Sequence, residues 1–91
     1  MKIYIISYDL KNKNLFNYTS LIEYIKSYGS WAKPMESFWF VKTDKDASTI
    51  RDELMSKVHS DDKLIVIDAS NVIWASFNLS GEVTNWLKNN T

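Results

Sequence analysis

Residues 2–9 read KIYIISYD, with β-branched or aromatic side chains at both odd and even positions. Extended, this run is apolar on both faces, the pattern of a strand buried in mid-sheet. The whole chain has 91 residues, which supports one domain, residues 1–91, because a chain of this size cannot divide into two adequate cores. Everything else must be arranged around that first strand.

The segment after it, LKNKNLFN, is polar and turn-prone, and either Asn17 or Ser20 can cap a helix, Ser20 with Glu23 as a capping box. Leu21, Ile22, Ile25 and Tyr28 then recur at helical spacing, and Gly29 supplies a stop. WAKPMESFWFVKT, 31–43, reads as two strands or one bent strand, and Pro34 puts its first half on a sheet edge because proline cannot donate to a ladder. Asp44 or Asp46 can cap a second helix with the stripe Ala47, Ile50, Leu54 and Val58. KLIVID, 63–68, reads as a strand and 72–77 as another with Trp74 at its centre; Ser80 then caps a short helix bearing Val83, Trp86 and Leu87. The fold class expected is α+β: a ferredoxin-like βαββαβ antiparallel sheet with two helices on one face and a C-terminal strand and helix extension, 72–91. The expected sheet order is fourth, first, third and second strand. Since the two helical stripes must cover one face, Leu21, Ile25, Ile50, Leu54, Ile65 and Ile67 are predicted to be core.

Composition narrows the function classes. Four tryptophans, five tyrosines and four phenylalanines exceed what so small a domain can hide, so some aromatic surface is expected to serve association. Eleven basic residues balance eleven acidic ones, which leaves no global field for tight duplex binding. The absence of cysteine removes disulfides, thiolate catalysis and thiolate metal sites, and fits a reducing, cytoplasmic location. No apolar run reaches the roughly 20 residues of a membrane span, so no membrane partner is expected. There is no Gly-rich phosphate loop, no HExxH, and only one histidine, so the familiar hydrolase and metalloprotease patterns are missing.

The expected topology gathers Asp9, Lys11, Lys13, Glu36, Ser37, His59, Asp61 and Asp62 at one end of the sheet. Carboxylates with an imidazole and a hydroxyl could hold Mg²⁺ or Mn²⁺ and position a water for phosphodiester attack, while Lys11 and Lys13 could hold a phosphate. Each has a plainer reading too: Asp9 in an Asx-turn, His59 as a surface residue matching a helix dipole, Asp61 and Asp62 as turn residues, and the lysines as a solvated loop. The aromatic run Phe38, Trp39, Phe40 reads as core on one face and interface on the other, with base stacking an alternative.

The stretches YIISYDL, a helix closed by YG, WAKPMESFWF, IRDELMSKV and KLIVID together resemble the small CRISPR-associated adaptation nuclease family. They are also similar to the virulence-associated protein D ribonucleases and, more narrowly, to short SinR-like proteins. The likeness spans about residues 2 to 77. It implies a dimeric ferredoxin-like protein whose first-strand aspartate, matching Asp9, is catalytic and holds the metal, with Ser37 matching the family's serine near the second strand. Two features depart from the family: Arg51 is the only arginine, and the glycine after the second strand is missing.

Two functions follow. One is a nucleic-acid-handling dimer acting as a metal-dependent endonuclease on RNA or single-stranded DNA, in which Asp9 contacts the metal and Ser37 and a lysine orient the phosphate. The other is a catalytically silent interaction or sequestering module, such as a phage-type accessory protein that binds a nucleotide or a host protein. Both predict a homodimer, joined beside the fourth strand or through the 72–77 segment.

Overall fold

β1 (Lys2–Asp9) lies between β3 (Phe38–Thr43) and β4 (Lys63–Asp68), and β2 (Ser30–Met35) pairs with the far side of β3, in a computed structural model that describes residues 1–13 and 17–91. All three pairings are antiparallel, with Ile6 opposite both Trp39 and Val66. Read from the β4 edge, the order is β4, β1, β3, β2. The strand that is apolar on both faces is therefore interior, and the strand with Pro34 is an edge. Its pairing with β3 is irregular between Ala32 and Met35, the stretch that contains the proline.

Three helices complete an α+β fold: α1 (Thr19–Lys26), α2 (Ala47–Met55) and α3 (Gly81–Asn90). The expected Ser20–Glu23 capping box is not formed, because α1 already begins at Thr19 and Ser20 lies inside it. The N-cap position falls on Tyr18, which makes no side-chain cap, and Asn17 Oδ1 accepts the Thr19 N–H at 2.9 Å in a local turn. Residues 14–16 of the polar segment before α1 lie outside the described residues. Gly29, with φ +104°, turns the chain after α1 in a conformation that a side chain would strain. Asp46 caps α2 through the Thr49 N–H at 2.8 Å, and Ser80 caps α3 through the Val83 N–H at 3.2 Å.

α1 and α2 cover one face of the sheet. Leu21, Ile25, Ile50 and Leu54 pack there against Tyr4, Ile6, Trp39 and Val41, and all eight are at most 1 % exposed. Each such aliphatic side chain contributes roughly 1.5–3 kcal/mol. The Trp39 indole N–H, which would otherwise be stranded in that layer, donates to the Tyr8 hydroxyl at 2.9 Å. α3 lies on the opposite face, where Leu87 joins Ile3, Phe40 and Ala69.

Two expectations are corrected. Ile65 and Ile67 are 55 % and 44 % exposed rather than core. Strand alternation sends Leu64 and Val66 to the helical layer and the isoleucines to the other face, where the α3 cluster stops short of β4. The 72–77 segment forms no strand. The segment leaves the β4 edge unpaired and crosses the sheet face, with Val72, Trp74 and Leu79 packed on the α3 cluster and Trp74 Nε1 donating to Thr91 Oγ1 at 2.9 Å. Among the described residues, no helix is long and apolar enough to cross a membrane.

Candidate functional site

The end of β1, the β2–β3 hairpin, the turn after α2 and the start of β4 meet at one end of the sheet. Asp9 is the last residue of β1, pairs in register with Lys63, and projects an exposed carboxylate. Lys11 Nζ lies 2.8 Å from Asp9 Oδ2. The hydrogen bond and charge of Lys11 hold the Asp9 carboxyl below its ordinary value, and the charges of Lys63 and Lys13 add to the effect. The same pairing pushes the Lys11 ammonium up. Beside Asp9 is a shallow concavity of about 250 Å³ lined by Ser7, Tyr8, Asp9, Lys63, Leu64 and Ile65.

Ser37 occupies the hairpin tip with φ 60°, and its carbonyl accepts the Tyr8 N–H at 3.1 Å. It thus sits on the β3 flank of β1, across from Lys63, and does not line the concavity beside Asp9. Glu36, at the same tip, has a side chain 96 % exposed and only a loose 3.8 Å ion pair to Lys33. Lys13 is exposed and acts on Asp9 through its field.

Asp62 organises this end of the molecule. Its carboxylate accepts the Lys11 N–H at 2.8 Å, the Tyr18 hydroxyl at 2.7 Å and the His59 N–H at 2.7 Å. Desolvation works to raise the Asp62 pKa, but these donors outweigh it and hold the group below its ordinary value. His59 Nδ1 accepts the Asp61 N–H at 3.1 Å, which leaves the proton of a neutral ring on Nε2. Asp61 and Asp62 are thus turn-makers, as their plainer reading held, and Asp62 is also a three-way tie.

Among the described residues, no three His, Cys, Asp or Glu side chains gather as a metal-holding group. The arrangement instead offers one exposed carboxylate in the field of three lysines. No family model, curated protein or solved structure matches the chain. Its chemistry must be argued from its own residues. Asp9, Lys11 and Lys13 were identifiable from the end of an apolar strand and the basic segment after it. Lys63 was missed, although the expected strand order already set the start of β4 beside the end of β1. The expected topology brought Lys11, His59 and Asp62 to one end, but the tie itself was not legible, because Lys11 and Tyr18 lie 51 and 44 residues from Asp62.

Proposed function

We propose that this is a nucleic-acid-handling protein of ferredoxin-like type that holds a phosphodiester of RNA or single-stranded DNA at the Asp9 end of its sheet. The observation that carries this reading is the exposed Asp9 carboxylate ringed by Lys11, Lys13 and Lys63 beside an open concavity. Lysines supply point charges for phosphate oxygens, and a chain with no net charge suits a flexible single strand better than a duplex. Mg²⁺ or Mn²⁺ would bind here only once Asp9 has released Lys11 and substrate phosphates supply the remaining oxygens, as such ions do when one or two carboxylates share them with a substrate. Asp9 would hold the ion, which would supply Lewis-acid activation of the phosphate and an activated water for endonucleolytic cleavage. The Lys11 ammonium, which donates to Asp9, is placed to move to an incoming phosphate. Ser37, at the neighbouring hairpin tip, would orient the substrate from the other flank of β1.

The test is a cleavage assay of the purified protein on RNA and on single- and double-stranded DNA with Mg²⁺, Mn²⁺ or EDTA. Cleavage should vanish with EDTA and in Asp9→Asn, while that variant melts like the wild type, because the amide keeps the shape and loses the charge a hard cation needs. Equal cleavage by wild type and Asp9→Asn would sink the catalytic part of this reading.

A second reading, a silent interaction module, is favoured by the face of β4 that is turned away from α1 and α2. Ile65 and Ile67 are exposed on an edge strand that has no partner on its outer side among the described residues, and Ile73 and Phe77 are 97 % and 92 % exposed. Such an edge is a template for pairing, which makes a homodimer the expected assembly under either reading. Light scattering that finds a monomer at micromolar concentration, with melting independent of concentration, would remove the dimer.

A further inference from the structure

The opposite edge of the sheet carries a feature that the Asp9 end does not use. Where β2 meets the N-terminal turn of α3, a cleft of about 340 Å³ is lined by Trp31, Ala32, Lys33, Ser80, Glu82, Val83 and Trp86. Its volume is near the lower end of the roughly 300–1,000 Å³ usual for small-molecule sites, which suits one planar group rather than a folded partner. Trp86 forms a fixed wall: its Nε1 donates to Ser30 Oγ at 3.0 Å, and its ring lies 6.1 Å from Phe40. Trp31 forms the other wall, still 36 % exposed although its ring meets Trp39 edge-on at 5.2 Å. Lys33 lines the cleft, and Lys26 reaches Trp31 from α1. Lys26 Nζ lies 5.2 Å from the Trp31 ring, and Lys33 Nζ 5.3 Å from the Trp39 ring.

We infer that this cleft takes an unpaired base of a single-stranded nucleic acid, stacked on Trp31, with Lys26 and Lys33 meeting the flanking phosphates. Aromatic walls with one acid could also cage an organic cation, but the ammonium groups of Lys33 in the lining and Lys26 over Trp31 oppose that occupant and complement a polyanion. Glu82, exposed on the α3 side of the cleft, can only accept hydrogen bonds when ionised, so it favours a base edge bearing an amino group, such as adenine or cytosine, over uracil or thymine. Trp31 is level with Tyr4 in the sheet and Asp9 is five residues further along, two strands away, so the two sites are roughly 20 Å apart. A strand held at one can reach the other. The inference rests on the nucleic-acid reading above and deepens it by naming where bases, rather than phosphates, are gripped.

Fluorescence anisotropy with 5′-labelled hexa-adenylate and hexa-uridylate in EDTA separates binding from any cleavage. Wild type should prefer hexa-adenylate. Trp31→Ala should weaken its binding by about tenfold or more, and Trp31→Phe should keep most of it. The double variant Lys26→Gln/Lys33→Gln should lower the slope of log affinity against log salt by about 1.4, since each phosphate contact on a single strand contributes roughly 0.7. Glu82→Gln should narrow the gap between the two oligomers. If Trp31→Ala binds as wild type does, or the lysine pair leaves the salt slope unchanged, the cleft is not the base site, while the nucleic-acid reading stands on the binding itself. If wild type neither binds the oligomers nor cuts any nucleic acid with metal, both fall together.

Discussion

The two faces of the sheet are covered differently, and the contrast shows how this chain divides its residues between stability and contact. On the α1–α2 face, two helices bracket all the inward side chains of β1 and β3, and the layer from Leu21 to Leu54 is sealed. On the other face a single helix, with the 69–79 segment, seals Ile3, Phe40 and Leu87 but leaves Ile65 and Ile67 in solvent. One helix near the β2 edge cannot span four strands. The sealed face anchors the fold, the half-sealed face leaves apolar surface at the β4 border, and the Trp31–Trp86 cleft straddles the β2 edge between the two.

Substitution series can break or sharpen that contrast, and Leu54→Ala should have the largest effect. The residue is fully buried, and the loss should be about 2–5 kcal/mol in urea unfolding. Leu87→Ala, 2 % exposed on the other face, should follow at about 2 kcal/mol. A cost for Leu87→Ala below about 0.5 kcal/mol would mean that α3 detaches without unfolding the sheet, so that the two faces are separate cooperative units.

Asp62→Ala should cost about 1 kcal/mol, since three hydrogen bonds lose one partly exposed acceptor. The folded-state pKa of Asp62 lies below its ordinary 3.8, so its stabilisation is fully present above that value and is lost as pH falls through the lowered one. The gap between wild type and variant should therefore be constant from pH 7 to about 5 and close in strong acid. A gap that widens on acidification would contradict the tie. Ile67→Ala should have the smallest effect, within about 0.5 kcal/mol for the isolated chain. Ile67→Lys tests the border directly: it should abolish any dependence of melting temperature on protein concentration, and a retained dependence would move the dimer contact elsewhere.

Much of this contrast could be read before any coordinates. Pro34 marked an edge, Asp44 or Asp46 and Ser80 marked helix starts, and the stripes Leu21–Ile25 and Ile50–Leu54 marked the sealed layer, because each is a local rule that tertiary packing did not override. β4 was harder. KLIVID is apolar at consecutive positions, so nothing in its pattern tells which alternate residues face the helices, and the isoleucines were assigned to the wrong side. The 72–77 segment has strand-forming side chains, yet Trp74 and Val72 pack on the α3 cluster instead of pairing with the open β4 edge. Asp9 and the lysines were legible at the candidate site as an apolar strand ending in charge. The Trp31–Trp86 cleft was not, since its two walls come from elements on opposite sides of the sheet that only the docking of α3 brings together.

The three-way tie at Asp62 also has a consequence for motion. Two of its donors are backbone amides, at Lys11 and His59, and the third is the Tyr18 hydroxyl, so three separate segments are fastened to one carboxylate. In hydrogen exchange the amides of Lys11 and His59 should open as a pair, with similar protection, because neither can leave without loosening the other. The residues just after β1 are therefore held before any ligand arrives. Under the proposed function, a phosphate reaching Lys11 would meet a pre-ordered backbone, with little conformational entropy left to lose on capture.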